Sequence, residues 1–295
     1  MSSITDVAPV PATRTAAGRP RRARKPRSGA ALGLVAWLVG LLFVVPVLWM
    51  VLTSLHSEPD AATNPPSVFA PLTLQGYREF FGGGTSPWPP LLNSLTAAVL
   101  STAVVLVLSI PAAYALSIRP VRKWTDVMFF FLSTKMLPVV AGLLPIYLFA
   151  QYTGLLDNIW FLALIYTSMN LPIAVWMMRS FLAEVPVEIL EAASMDGAGL
   201  TRTLRQVVVP VVAPGIAATS LICFIFSWNE LLFARVLTGT RAETAPVFLT
   251  SFVTSQGLFL AQVCAASFVV SLPVLIAGFA AQDKLVQGLS LGAVK

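Results

Sequence analysis

Charge is what this chain of 295 residues has least of: 11% of its positions are Asp, Glu, Lys or Arg, against about 25% in soluble domains. Histidine occurs once, as His56, and no pair of acids stands at helical spacing within an apolar run. An integral-membrane enzyme would lack its acid–base groups. The same shortage of acids argues against a proton- or sodium-driven carrier, whose relay needs carboxylates within the bilayer. Cysteine occurs twice, as Cys223 and Cys264, both inside apolar runs, so neither a disulfide framework nor a metal site is suggested. The spacing Gly-x-x-x-x-Gly-Lys-Ser/Thr is absent, so the chain has no phosphate-binding loop of that kind.

What is present is hydrophobic length. Hydrophobic residues make up 57% of the chain and the mean hydropathy is +0.81, which leaves an all-α integral membrane protein as the class. Runs of about 20 apolar residues cross a bilayer as helices. Six are expected: Ala30–Ser54, Leu91–Ile118, Asp126–Ala150, Ile159–Phe181, Val211–Ala234 and Leu260–Gln282. Every run carries at least one proline: Pro46, Pro111, Pro138 with Pro145, Pro172, Pro214 and Pro273. Weakened helices suit a gated cavity better than a rigid anchor, because neighbours or water must satisfy the freed backbone groups.

The remaining charge sets the orientation. Residues 1–29 form a tail with seven bases (Arg14, Arg19, Arg21, Arg22, Arg24, Lys25 and Arg27) against one acid, Asp6. Its composition cannot build a core. Placed directly before a span, it reports a cytoplasmic N-terminus rather than a nucleic-acid partner. Arg119, Arg122 and Lys123 mark the second connection as cytoplasmic too. The first connection, His56 to Pro90, carries one base and three acids and faces outward. It is rich in proline and glycine, reading either as a spacer or, through Tyr77, Phe80, Phe81 and Trp88, as a contact for an external partner. Six alternating spans return the C-terminus to the cytoplasm.

Residues 184–215 are the longest polar interruption of the apolar second half. Pro186 suits the first turn of a helix, Glu188 sits well beside the positive helix end, and Gly197 is a natural left-handed stop. Thr201 is expected to cap a second helix carrying Leu204, Val207 and Val208. The first helix has an alanine-rich face that another protein surface could approach closely, which makes it a docking element at the membrane surface.

These residues carry a resemblance. Glu191-Ala192-Ala193, three residues, Gly197, nine residues, and Val207-Val208-Val209-Pro210 resemble the EAA loop of ABC importer permeases, with valines where that family has Ile and Leu. Further stretches resemble the carbohydrate (maltose-type) permeases: Asn93-Ser94-Leu95, Pro111-Ala112-Ala113-Tyr114, Met136-Leu137-Pro138, Gly154-Leu155-Leu156-Asp157 and Trp228-Asn229-Glu230. Ser133-Thr134-Lys135-Met136-Leu137-Pro138, the Ser255–Phe259 stretch and the closing Gly-Ala-Val-Lys are most similar to the sorbitol/mannitol (polyol) branch.

The resemblance implies a type I importer permease fold with six transmembrane helices (30–283), a cytoplasmic coupling helix in the 184–215 loop and a C-terminal tail, 284–295. It implies a non-catalytic subunit in the cell inner membrane, without a cofactor. Its partners would be two ATP-binding subunits, a second and different permease chain, an extracytoplasmic binding protein and a sugar or polyol. The docking residues would be Glu191, Ala192, Ala193, Asp196, Gly197 and Pro210. In maltose-type permeases the C-terminal tail reaches the ATPase interface, which here points to Gly288, Gly292 and Lys295.

For the translocation path the residues to watch are Lys135, Asn229 and Glu230. Lys135 lies about 13 Å from Asp126 along a helix of about 1.5 Å per residue. It either faces a cavity or snorkels to the inner headgroups. Glu230 lies about 29 Å from Val211 on the same measure, a depth that sets it near the outer interface and away from Lys135.

Overall fold

The structure is a computed structural model that describes residues 29–63, 67–118, 121–254 and 257–293. Two compact units separate at Val47. The helix α1 (Gly29–Ser54) runs from the first unit into the second. Its apolar window has no buried face. A helix hydrophobic all round in this way is stable only in lipid or against another chain.

The second unit holds the rest. In chain order it comprises α2 (Glu58–Ala61), α3 (Gln75–Gly82), α4 (Trp88–Ser117), α5 (Trp124–Met136), α6 (Val139–Thr153) and α7 (Ile159–Leu182). Then follow α8 (Val187–Met195), α9 (Leu200–Arg202), a π-helical segment (Thr203–Val208), α10 (Val209–Val211), α11 (Ala213–Trp228), α12 (Leu232–Leu237), α13 (Ala245–Leu249) and α14 (Leu260–Ala293). A two-residue antiparallel pairing of Val253–Thr254 with Gly257–Leu258 is the only strand structure among the described residues.

The central helix is α7, with 61% of its apolar window buried, against 33% in α4 and 17% in α14. It packs along α4, while α11 is wedged among α4, α7 and α14. Small residues at these contacts (Ala97, Ala98, Ala113, Ala174) are all nearly inaccessible. Close backbone approach is how helices associate in lipid, where hydrophobic driving force between them is missing. Buried polar groups supply cross-links. Ser101 and Ser227 hydroxyls lie 2.9 Å apart, Asn170 Nδ2 donates to Ser227 Oγ at 2.9 Å, and Trp228 Nε1 donates to the Val270 carbonyl at 3.1 Å. Each interhelical bond of this kind contributes about 0.6 kcal/mol on average.

Among the described residues, four helices (α1, α4, α7 and α14) are long and apolar enough to cross a membrane, and two bent pairs, each taken as one span, raise the number to six. The expected third span, Asp126–Ala150, is one of those pairs: α5 and α6 meet at 85°. Pro138 is the cause. It excludes a helical conformation from the residue before it, and Leu137 is extended, with φ −68° and ψ 133°. The expected fifth span, Val211–Ala234, is likewise interrupted. Helix α11 ends at Trp228, α12 begins at Leu232, and the chain entering α11 bends by 81°. Helix α14 runs on unbroken to Ala293, and its membrane-length apolar stretch is Leu260–Lys284.

The first connection is no mere spacer. Phe80 of α3 is 1% exposed and packs with Phe248 and Ala266. Gly76 lies so near α14 that an added Cβ would meet the Ala261 carbonyl oxygen at 3.1 Å. The Glu58 carboxylate caps α14, accepting from Gln262 N at 2.8 Å and Ala261 N at 3.1 Å.

Candidate functional site

Three regions carry the residues singled out above. The first is the lobe between α7 and α11. Pro186 (φ −58°, ψ 134°) precedes α8, as a residue without an N–H can at a helix start. At the other end Gly197 adopts φ +71°, its N–H donates to the Ser194 carbonyl, and Ala198 N–H donates to the Ala193 carbonyl, both at 3.0 Å. That is the paired closure of a helix on a left-handed glycine. The second helix begins at Leu200 after Gly199, and Thr201 lies inside it. Extended Gly199 takes the capping position, so the expected threonine cap does not form.

Only Ala193 of α8 is buried. Glu191, Ala192, Asp196 and Gly197 are exposed, together with Val187 at 57% and Met195 at 88%. Beneath α8, Leu190 and Leu204 pack on a cluster of Ala113, Tyr114, Met178, Leu182, Val208 and Val212. Pro210 stands in α10, on the exit from the lobe. The lobe therefore presents a short helix with alanine and exposed apolar groups outward, on a firm base. Arg179 strengthens that base: its Nε donates to the Leu116 carbonyl at 3.3 Å and its guanidinium lies 3.9 Å from the Trp124 ring centroid.

The second region is within the spans. A cavity of about 360 Å³ is lined by Lys135, Tyr166, Asn170, Ser227, Asn229 and Glu230, among others. The separation of Lys135 from Glu230 expected from straight helices is thus overturned. The break at Pro138 ends α5 just after Lys135, and α11 stops before Asn229, so both ends open onto one space. Lys135 sits in the last turn of α5, where the helix dipole favours a cation. It also lines a neighbouring cavity of about 420 Å³ with Thr134, Met169 and Pro172.

Glu230 is engaged rather than free. Its carboxylate accepts from Phe233 N at 3.0 Å and Ala234 N at 3.1 Å, capping α12. Asn229 Nδ2 donates to the Ile225 carbonyl at 2.9 Å. Asn170 is the polar wall residue that sequence reasoning passed over; an amide two positions before Pro172 in an apolar span was the signal for it.

The third region lies at the N-terminal ends of α4 and α7. Asp157, at φ +56°, accepts from Gly239 N (2.8 Å), Ala242 N (2.8 Å) and Arg241 N (3.0 Å). Burial alone would raise its pKa, but the three backbone N–H groups and the Arg241 charge outweigh it and hold the carboxyl below its usual value. Glu243 nearby is pushed up, chiefly by burial, with Arg235 opposing and Asp157 adding to the rise. Asn93 Nδ2 donates to the Arg241 and Glu243 carbonyls, both at 2.9 Å, and Ser94 Oγ accepts from Ala245 N at 2.8 Å. Of the tail residues, Lys295 lies outside the described residues, and for Gly288 and Gly292 only the helical backbone is described.

A lobe with an exposed helix, set on membrane-length helices around a cavity that Lys135, Asn170 and Glu230 help to line, suits the membrane-spanning subunit of a transport system. Residues 105–289 match the family of binding-protein-dependent transport system inner membrane components, and the chain belongs to that family. It is a non-catalytic permease subunit, with ATP hydrolysis on a separate subunit.

Among its relatives, the probable ABC transporter permease protein y4oR of Sinorhizobium fredii is 36% identical, over 88% of this chain and 93% of its own. The trehalose transport system permease protein SugB of Mycobacterium tuberculosis is 31% identical, over 85% of this chain and 92% of its own. In fold, the chain is similar to a bacterial ABC transporter involved in the import of the acidic polysaccharide alginate, with a TM-score of 0.71 and 23% identity. That match covers 89% of this chain and 99% of the other.

Proposed function

We propose that this chain is one of two different transmembrane subunits of an ATP-driven importer for a sugar or polyol, of the sorbitol/mannitol type. The observation that carries this reading is the cavity wall of Lys135, Asn170, Ser227 and Asn229. These side chains offer hydrogen-bond donors and acceptors at the scale of a polyhydroxylated solute. Trehalose, diacetylchitobiose and trehalose/maltose appear in the names of relatives, which supports a carbohydrate. The stretch from Ser133 to Pro138 favours the polyol branch.

Helix α8 is the coupling helix. It docks on the cytoplasmic ATPase through Glu191, Ala192, Asp196 and Gly197, with Ala193 turned inward as its footing and Pro210 on the exit strap. The basic tail and the C-terminus lie in the cytoplasm, and the last residues, with Gly288, Gly292 and Lys295, reach the ATPase pair. An extracytoplasmic binding protein delivers solute to the opposite side. Alternating access then follows from movement of α8 with the ATPase, opening the cavity inward and outward in turn.

The test is uptake. Cells lacking this permease should fail to accumulate labelled sorbitol or mannitol while still importing an unrelated sugar. Unchanged polyol uptake with loss of a disaccharide would refute the polyol assignment and leave a sugar permease of another specificity.

A further inference from the structure

The chain enters the cytoplasmic lobe from the last turn of α7 and leaves it into the first turn of α11, and the tightest approach of these two turns is at Gly215 and Phe181. A Cβ built on Gly215 would lie 2.8 Å from Phe181 Cβ and closer still to the Phe181 ring. No other described glycine stands against a neighbouring side chain so tightly. Contacts below 3.0 Å demand that something shift, and here the obstacle is the rigid base of a ring rather than the end of a flexible chain. Phe181 cannot retreat freely: two residues earlier Arg179 is tied to the Leu116 carbonyl and the Trp124 ring, and the next residue, Leu182, is 1% exposed in the cluster beneath the lobe.

We infer that the Gly215–Phe181 contact is the pivot through which movement of the lobe reaches the spans. The inference rests on the reading of α8 as the ATPase-docking helix. Two features of the intervening chain support it. Between Thr203 and Val208 the helix is π-wound, a geometry that is rare and concentrates where helices deform in function. Just beyond, the chain bends by 81° into α11, with Val212 at the corner (φ −93°, ψ 14°). Close-packed contacts transmit displacement, because interiors are nearly incompressible. The lobe is thus joined to the bundle by a hard bearing, Gly215 on Phe181, with a yielding segment beside it. A push on α8 turns the lobe about that bearing and tilts α11, whose far end, near Ser227 and Asn229, borders the solute cavity. Gly215 and Phe181 act through the helices they join and touch no solute, so both are positioning residues.

The test uses the assembled complex of both permeases and the ATPase in proteoliposomes with the binding protein, with labelled sorbitol as probe. The readout is solute taken up per ATP hydrolysed, beside the amount of ATPase that co-purifies. Gly215→Ala should retain the ATPase and lower the ratio about tenfold, the scale expected of an overpacked contact. Adding Phe181→Ala to that variant should restore most of the loss by removing the ring that the methyl meets. A normal ratio for Gly215→Ala, or no recovery in the double variant, overturns the pivot. Should Gly215→Ala fail to reach the membrane, Phe181→Trp carries the test: a larger ring overpacks the same contact from the other side, and a wild-type ratio there also overturns the inference. Failure of the docking reading looks different: Gly197→Asp would then keep its ATPase and its uptake, whatever Gly215 does.

Discussion

Replacing Gly197 by aspartate separates folding from docking, because the two costs fall on different surfaces. Gly197 has φ +71°, so a side chain there is strained, yet a Cβ meets nothing within 4 Å. The left-handed conformation costs an L-residue roughly 1–2 kcal/mol, with Asp at the tolerant end of that scale. The two closing hydrogen bonds of α8 use backbone groups only and survive the change. The lobe should therefore lose about 1 kcal/mol, too little to keep the protein from the membrane.

The interface fares worse. An acidic side chain would be added beside Glu191 and Asp196 on the exposed face. Docking would strip water from that carboxylate, and a desolvated charge without a partner costs several kcal/mol. A cost of about 3 kcal/mol corresponds to roughly 100-fold weaker docking. The assay is membrane abundance by immunoblot, ATPase co-purification and uptake, measured on the same cells. Normal abundance with uptake lowered at least tenfold is expected. Normal abundance with normal uptake would refute the docking role of α8.

Lys135→Met keeps length and removes the charge; if the ammonium serves the solute cavity, uptake normalised to abundance should fall about tenfold, the scale of one charge-assisted hydrogen bond. Wild-type uptake by Lys135→Met would show that the lysine serves only the headgroup region. Asp157→Asn tests the latch around Asp157: with one oxygen acceptor and no charge, it should speed hydrogen exchange at Gly239, Arg241 and Ala242 about fivefold, corresponding to roughly 1 kcal/mol at a half-exposed site. Unchanged exchange would show that the loop holds its path without Asp157. The same bonds set a pH dependence. The folded Asp157 pKa lies below its unfolded value, near 3.9, so the latch contributes fully above about pH 4 and is lost as pH falls through the folded pKa. Exchange at those amides should be flat from pH 7 to 5, after correction for intrinsic rates, and rise only below about 4.

The helix Val187–Met195 was legible because its determinants are local. Pro186, Glu188 and Gly197 act on their own turn of helix, and their spacing survives in one dimension. The cavity was not. Treating residues 126–150 and 211–234 as straight rods put Lys135 and Glu230 at different depths. Pro138 was visible, but the 85° angle it produces depends on what α5 and α6 pack against. The capping role of Glu230 was not legible because the N–H groups it binds have no side-chain signature. Asp157 was read only as part of a family-like stretch for the same reason, its partners being backbone groups some eighty residues away. The π-wound turn at Thr203–Val208 has no compositional mark, and Gly215 looked like an ordinary glycine after a proline until Phe181 was seen against it.

The latch around Asp157 holds its loop by the main chain alone. Gly239, Arg241 and Ala242 offer N–H groups, Arg241 and Glu243 offer carbonyls to Asn93, and Ala245 N–H finds Ser94. No side chain between Thr240 and Glu243 is needed for any of these bonds. The exposed positions of that segment, Thr240 and Arg241, are thus largely free in their lettering, whereas Ala242 is 2% exposed and held. A surface built this way can exchange those two side chains, one substitution at a time, without disturbing the helices it connects. Asn93, Ser94 and Asp157 enjoy no such freedom, because they serve as the fixed frame on which the variable strip is mounted.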